Sequence, residues 1–246
     1  MTIIATYNIK GGVGKTSTAV NLAFLAAQEN YKTLIWDLDP QGASSYYFRV
    51  KPKIKGGSKA LIAGERELDG LIKATDFDNL DLLPADFSFR NLDLVLDERK
   101  KPTQRLKKLL APLAEEYDFI FLDCPPNISL LSEAIFEASQ LLLSPIIPTT
   151  LSLRTLEQLK KHIKDNKLKK IQLLPFFSMA DRRKKMHREI IETLALQHPD
   201  ILNSVIPYAS DIERMGLERM PLAGYIGKSR STEAYKSLWQ EVKMFV

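Results

Sequence analysis

Apolar residues recur along the chain in two rhythms. Short, near-continuous apolar runs occupy residues 3–7, 33–37, 80–83, 119–123, 140–147, 171–176 and 201–206, and these have the length of strands. Segments with helical spacing fall between and after them, at 15–29, 88–98, 102–116, 129–138, 153–165, 183–197 and 231–245. In the first helical segment Val20, Leu22, Ala23, Leu25, Ala26 and Ala27 make a broad apolar face. The alternation predicts parallel strands joined by right-handed crossovers, hence an α/β fold: a mostly parallel, twisted sheet with helices on both faces. The near-continuous apolar strands agree, because a central parallel strand is covered on both sides. Residues 41–79, which hold Gly42, Gly56, Gly57, Gly64 and Gly70, show no clear period and are expected to form short helices and loops.

Composition keeps this picture and removes some chemistries. A chain of 246 residues can bury about 70–75% of its unfolded surface, enough for one α/β domain over 1–246 without staples. The single cysteine, Cys124, excludes an intrachain disulfide or a four-cysteine metal site within one chain, and is expected to be a small buried packing residue. The apolar run at the amino end meets Asn8 and Lys10 too soon for a signal peptide, and no window approaches the ~18 apolar residues of a membrane span. The expected location is the cytoplasm. The net charge of +5 permits a polyanionic partner without locating it.

The strongest chemical signal is Asn8-Ile9-Lys10-Gly11-Gly12-Val13-Gly14-Lys15-Thr16, which follows a predicted strand and opens a predicted helix. Glycines there let main-chain N–H groups turn inward onto phosphate oxygens, and the helix adds its positive amino end. Lys15 can reach the β- and γ-phosphates as a point charge, and the Thr16 hydroxyl can ligate Mg²⁺. A plain Gly-rich turn would not need Lys15 and Thr16 in register. A second strand ends in Asp37-Leu38-Asp39-Pro40-Gln41-Gly42, and strand alternation predicts Asp37 and Asp39 on one face at the carboxyl edge, where such sheets hold ligands. A third apolar strand delivers Asp123 before Cys124-Pro125-Pro126, as a Walker B carboxylate that holds Mg²⁺ through water.

The loop lacks the usual first glycine, which is Ile9, and carries the extra Lys10. It resembles the deviant phosphate loop of the ParA/MinD family, and the D-x-D-P-Q-G and D-C-P-P segments resemble ParA-type members in the same order. The resemblance implies a P-loop ATPase that uses ATP and Mg²⁺, with residues 10–17, Val13 and Ser17 included, around the nucleotide. It implies that Lys10 reaches across a homodimer formed with ATP to the partner's nucleotide, so that a side chain at Gly11 or Gly12 would block closure. Asp39 would orient the attacking water and stand near the metal with Thr16 and Asp123, while Asp37 supports the switch. Weaker matches at Phe177-Ser178-Met179 and Val205-Ile206-Pro207-Tyr208 imply base contact by Met179 and Pro207.

Two basic clusters bear on the partner. Lys160, Lys161, His162, Lys164, Lys167, Lys169 and Lys170 read as a solvated helix face. Arg182, Arg183, Lys184, Lys185 and Arg188, with His187, fall at the start of a predicted helix, where positive charge opposes the helix dipole. By the resemblance they are the candidates for DNA binding without sequence preference, with Arg214, Lys228 and Arg230 as weaker ones. No helix-turn-helix is expected before the phosphate loop. The resemblance further implies cargo positioning on the nucleoid with a ParB-like adaptor that speeds a slow hydrolysis. The alternative is a MinD-like membrane-associated ATPase, but Leu238, Trp239, Val242 and Phe245 form an apolar face without a basic rim, so the last helix is expected to dock on the sheet and a membrane partner is not expected. A nitrogenase-type iron protein would need two thiolates per subunit, and a non-enzymatic nucleotide module would lack Lys10 and Asp39.

Overall fold

The computed structural model describes residues 1–64, 68–168 and 170–246. Among these, eight strands form one sheet: β1 (Thr2–Thr6), β2 (Thr33–Asp37), β3 (Lys73–Ala74), β4 (Leu80–Leu83), β5 (Phe119–Asp123), β6 (Leu141–Ile146), β7 (Gln172–Ala180) and β8 (Val205–Pro207). Their order is β3-β4-β2-β5-β1-β6-β7-β8. All neighbours are parallel except the two-residue edge strand β3, which runs antiparallel to β4. The helices are α1 (Lys15–Gln28), α2 (Ala43–Tyr47), α3 (Gly57–Ala63), α4 (Leu92–Asp97), α5 (Arg105–Leu110), α6 (Leu130–Ala138), α7 (Thr150–Asp165), α8 (Lys185–Gln197), α9 (Ser210–Glu218), α10 (Leu222–Tyr225) and α11 (Arg230–Lys243).

Successive strand residues point to opposite faces, and the core divides accordingly. Ile3, Ala5, Leu34, Trp36, Ile120 and Leu122 pack with Leu92, Leu106, Leu110, Ile135 and Phe136 from α4, α5 and α6. Ile4, Ile35, Phe119, Phe121, Leu141 and Leu143 pack on the other side with α1 and with Leu238, Trp239 and Val242 of α11. The last helix therefore docks on the sheet as expected, with the Trp239 ring edge-on to Phe119 at 5.2 Å. No helix among the described residues is long and apolar enough to cross a membrane.

The departures from expectation have local causes. The helix expected over 102–116 is broken into the six-residue α5 between 3₁₀ turns at Pro102–Gln104 and Ala111–Glu115, because Pro112 has no N–H to continue the ladder. The apolar run 201–206 is a strand only from Val205. Ile201 and Leu202 are buried beneath it, and the Leu202 N–H bonds the Pro175 carbonyl at 2.8 Å as an irregular segment. Strand β7 runs past residue 176 to Ala180 and carries Met179 to the carboxyl edge. Helices α9 and α10 were not expected from the sequence.

Candidate active site

The phosphate loop spans the gap between β1 and α1 and is fixed from below. Buried Asn8 donates from Nδ2 to the Pro145 carbonyl on β6 at 2.9 Å and accepts the Lys10 N–H on Oδ1 at 2.9 Å. Gly12 and Gly14 have φ of 69° and 95°, left-handed values that a side chain resists. A Cβ on Gly14 would also stand 2.8 Å from the Ser178 Oγ. By contrast a Cβ on Gly11 meets only Pro126 at 3.8 Å, and one on Gly12 meets nothing, so no clash within the chain excludes side chains there. Lys15 folds back over the loop and donates to the Lys10 carbonyl at 3.0 Å. It is only 7% exposed, and desolvation pulls its pKa down against the attraction of Asp123. A buried ammonium whose hydrogen-bond partner is a neutral carbonyl is a cation prepared for an anion.

Asp37 and Asp123 end neighbouring strands in register and are fully buried. The Ser45 N–H and hydroxyl both donate to Asp37 Oδ2 at 2.8 Å, and the Ser44 hydroxyl donates to Asp123 Oδ2 at 2.8 Å. Burial raises the pKa of both carboxyls, and for Asp37 the neighbouring Asp123 adds to it. The Oδ1 atoms of both have no hydrogen-bond partner. Asp39 corrects a sequence expectation. Strand β2 stops at Asp37, so alternation does not extend to Asp39, which lies in the following turn and accepts the Gln41 N–H on Oδ1 at 2.9 Å. The two aspartates do not share a face: Asp37 is sealed under α2, while Asp39 lines an open cleft.

That cleft has a volume of about 370 Å³. Gly11, Gly12, Gly14, Lys15, Thr16 and Ser17 lie along it with Asp39, and Met179 and Pro207 form part of the opposite wall. Met179 is there because its φ of 53° turns the chain at the end of β7. Val13 is buried behind the loop, and half-buried Lys10 is not on the cleft wall of its own chain. Sequence reasoning missed Ser44 and Ser45, which hold the buried carboxylates, and Tyr47 and Tyr235, which also line the cleft. No pattern marks the serines; Tyr235 could have been sought on the inner face of the helix expected to dock.

The donor set fits a hard divalent cation such as Mg²⁺: Asp123 keeps one oxygen without a hydrogen-bond partner, and the Thr16 hydroxyl is close enough to help lower that carboxyl's pKa against its burial. Among the described residues no three His, Cys, Asp or Glu side chains converge as a metal cluster.

The basic candidates separate. Arg182, Arg183 and Lys184 lie in the turn after β7 rather than in a helix, and α8 begins at Lys185 with Arg188 one turn on. All five are exposed. Arg183 forms a two-pronged pair with Asp181 at 3.0 Å, Lys185 pairs with Glu189 at 3.4 Å, and Arg188 bonds the Arg182 carbonyl at 2.6 Å. Arg182 and Lys184 have no ion pair among the described residues. Buried His187 accepts the Asp181 N–H at 3.1 Å and braces the turn. The first cluster sits at the opposite edge of the sheet. Lys160 pairs with Asp200 at 3.0 Å, and His162 and Lys164 lie in the last turn of α7, where positive charge suits the helix dipole. Lys169 lies outside the described residues. Of the weaker candidates, Arg214 pairs with Glu218 at 2.9 Å.

Comparison with known proteins adds to this geometry. Residues 1–174 match the AAA domain family. The sporulation initiation inhibitor protein Soj of Bacillus subtilis is 31% identical, over 98% of this chain and 97% of its own. The chromosome partitioning protein ParA of Myxococcus xanthus is 30% identical over 98% and 87%. Among solved structures, the ATP complex of Cyanothece McdA superposes with a TM-score of 0.83 at 22% identity, covering 100% of this chain and 96% of the other. The cobyrinic acid a,c-diamide synthase of Mycobacterium smegmatis gives 0.81 at 24%, covering 99% and 94%. These two share the fold, and because one is a biosynthetic enzyme the fold alone does not choose the function. The choice rests on the full-length sequence match together with the loop, and by both this chain belongs to the Soj/ParA family of partition ATPases.

Proposed function

We propose that this chain is a ParA-like positioning ATPase, one domain over 1–246, that closes into a dimer with ATP and then holds DNA without sequence preference. The observation that carries this reading is Lys10. Its main chain is pinned on both sides, by Asn8 and by Lys15, yet it is absent from the wall of its own cleft. A cation held at the mouth of a phosphate loop without serving its own site is suited to serve the neighbour's.

In this reading main-chain amides of residues 10–17 hold the triphosphate and Lys15 exchanges the Lys10 carbonyl for phosphate oxygen. Thr16 and Asp123 would hold Mg²⁺, with Asp39 near it, and the ion would supply charge to the β- and γ-phosphates. Asp39 positions the attacking water from its turn, Met179 and Pro207 flank the base, and Lys10 of each chain faces the other's phosphates. Arg182, Arg183, Lys184, Lys185 and Arg188 contact DNA phosphates, a ParB-like adaptor carries the cargo and stimulates turnover, and the working location is the nucleoid. The packing of Leu238, Trp239 and Val242 into the core disfavours the membrane alternative.

The test is co-sedimentation with duplex DNA and with anionic liposomes, each with ADP or ATP. DNA pelleting that requires ATP is expected. ATP-dependent recovery on liposomes, with none on DNA, would replace this reading by the membrane one.

A further inference from the structure

The net charge of the chain, +5, conceals an uneven distribution. From residue 40 to residue 64 there is no Asp or Glu, while Arg49, Lys51, Lys53, Lys55 and Lys59 all fall there. Most of these cations border a groove that the nucleotide site does not use. Residues 50–55 alternate apolar and basic. Ile54 is buried, Val50 is half-buried and Pro52 packs against Gly42, while Lys51, Lys53 and Lys55 are exposed.

The loop that carries these lysines is built, not loose. The Ile54 N–H donates to Asp86 Oδ2 at 2.8 Å, the Gly57 N–H bonds the Ile54 carbonyl at 3.0 Å, and Asp86 is itself tied to Ser88. Between this loop and the approach to β3 lies a cleft of about 400 Å³, with Val50, Ile54 and Leu71 as its apolar floor and Lys51, Lys53, Lys55 and Lys73 at its rim. Among the described residues none of these four lysines is in an ion pair. Nearby cations are already engaged: Arg49 pairs with Asp76 at 3.1 Å, and Arg219 stacks on Tyr46 at 4.5 Å. A second cleft of about 300 Å³ shares Val50 and Lys51 with the first and reaches Gln41 and Gly42. Those two residues close the turn that bears Asp39, whose main-chain oxygen accepts the Gly42 N–H at 2.9 Å.

We propose that this groove is the docking surface for an acidic, amphipathic segment of a partner protein. Charge complementarity selects an anion, since among the described residues the four cations at the rim have no ion-pair partner. The apolar floor selects the kind of anion. A DNA backbone offers phosphates and sugar to a protein surface and nothing to fill an apolar cleft, so it would leave the cleft floor, where half-buried Val50 is the side chain still partly open, unfilled. A segment that alternates carboxylates with aliphatic side chains covers the floor and the rim together, as the buried centre and polar rim of a protein interface do. Such a segment would also touch the turn that carries Asp39. The docking stands apart from the ATPase reading; only an effect on turnover rests on that reading.

Fluorescence anisotropy of the full chain tests this with three labelled probes: a synthetic peptide of alternating Glu and Leu, an oligoglutamate of equal charge, and a DNA duplex. Lys51→Glu, Lys53→Glu and Lys55→Glu are combined in one variant. Lys161→Glu, Lys164→Glu and Lys167→Glu form a charge-matched control at the far edge of the sheet. The Glu–Leu peptide is expected to bind the wild type more tightly than oligoglutamate does. Its affinity should be kept in the control and fall at least about tenfold in the groove variant, the sum of several surface ion pairs. Nucleotide affinity and basal ATP turnover of the groove variant, measured in parallel, should be unchanged, which separates a failed groove from a failed active site. Equal binding of the two peptides, retention of the Glu–Leu peptide by the groove variant, absence of peptide binding, or a duplex that alone loses affinity in that variant would each overturn the proposal.

Discussion

At the scale of single residues, the site is governed by charges that protein alone does not satisfy. Lys15 is an almost buried ammonium on a carbonyl, and Asp37 and Asp123 are buried carboxylates with one oxygen each left open. Lys15→Ala should therefore abolish ATP binding in a calorimetric titration, and unchanged affinity would remove the phosphate-loop assignment. Asp39→Ala leaves the loop intact, so it should bind ATP and dimerise while turnover disappears; wild-type turnover would end the role given to Asp39. Asp37 makes a separate prediction. Burial first, and then the neighbouring Asp123, push its pKa up, so in the window above the ordinary carboxylate range the folded chain holds a proton that the unfolded chain releases. Stability of the nucleotide-free protein should fall as pH rises through this window. Melting curves across it should show the fall, and Asp37→Asn should reduce it, leaving the part due to buried Asp123. At this scale the loop was legible because glycines, a lysine and a threonine at fixed offsets have few other uses. Ser44 and Ser45 were not, since a serine that caps a buried carboxylate looks like any other. Asp39 was legible in kind but not in place, because the strand ends before it.

At the scale of elements, what could be read from periodicity was whatever a long apolar run imposes. The central strands β1, β2 and β5 and helix α1 sit where the pattern puts them because burial on both faces leaves few alternatives. Helices α9 and α10 were not expected: α10 is too brief to establish a period, and in α9 the inward pair Ile212 and Met215 is a short signal among polar residues, although α9 follows directly on the wall formed by Pro207 and Tyr208. Helix α11 shows how a remote element supports the site. Trp239 is 1% exposed against Phe119, and Tyr235 of the same helix lines the cleft. Trp239→Ala should cost about 3–5 kcal/mol by the loss of a large buried side chain, measured by denaturant unfolding. The same variant should loosen nucleotide affinity, because Tyr235 moves with the helix. A loss below about 1 kcal/mol would mean that α11 is not held as described.

At the scale of the whole molecule, charge placement matters more than charge total. The turn 182–184 and the start of α8 stand at the carboxyl edge with the nucleotide cleft, whereas the cluster around Lys160 stands at the other edge with a carboxylate partner. Replacing Arg182, Arg183, Lys184 and Lys185 together by Ala should weaken DNA retention several-fold and lower its salt dependence, since each lost phosphate contact reduces the slope by about one. ATP affinity should be spared. Filter binding across a salt series reads both, and an unaltered slope would move the DNA surface elsewhere. Arg183 and Lys185 are already paired with Asp181 and Glu189, so Arg182 and Lys184 should account for most of the change.

Strand β7 has one more consequence. Met179, on the cleft wall, and Arg182, the first of the exposed cations, are separated by Ala180 and Asp181 alone. His187 clamps the Asp181 amide, and the Ala180 carbonyl is held by the Tyr208 amide at 3.0 Å. On the function proposed above, base contact and DNA contact would hang from this one short, hydrogen-bonded segment, so that a shift at Met179 would be carried to Arg182 along the main chain itself.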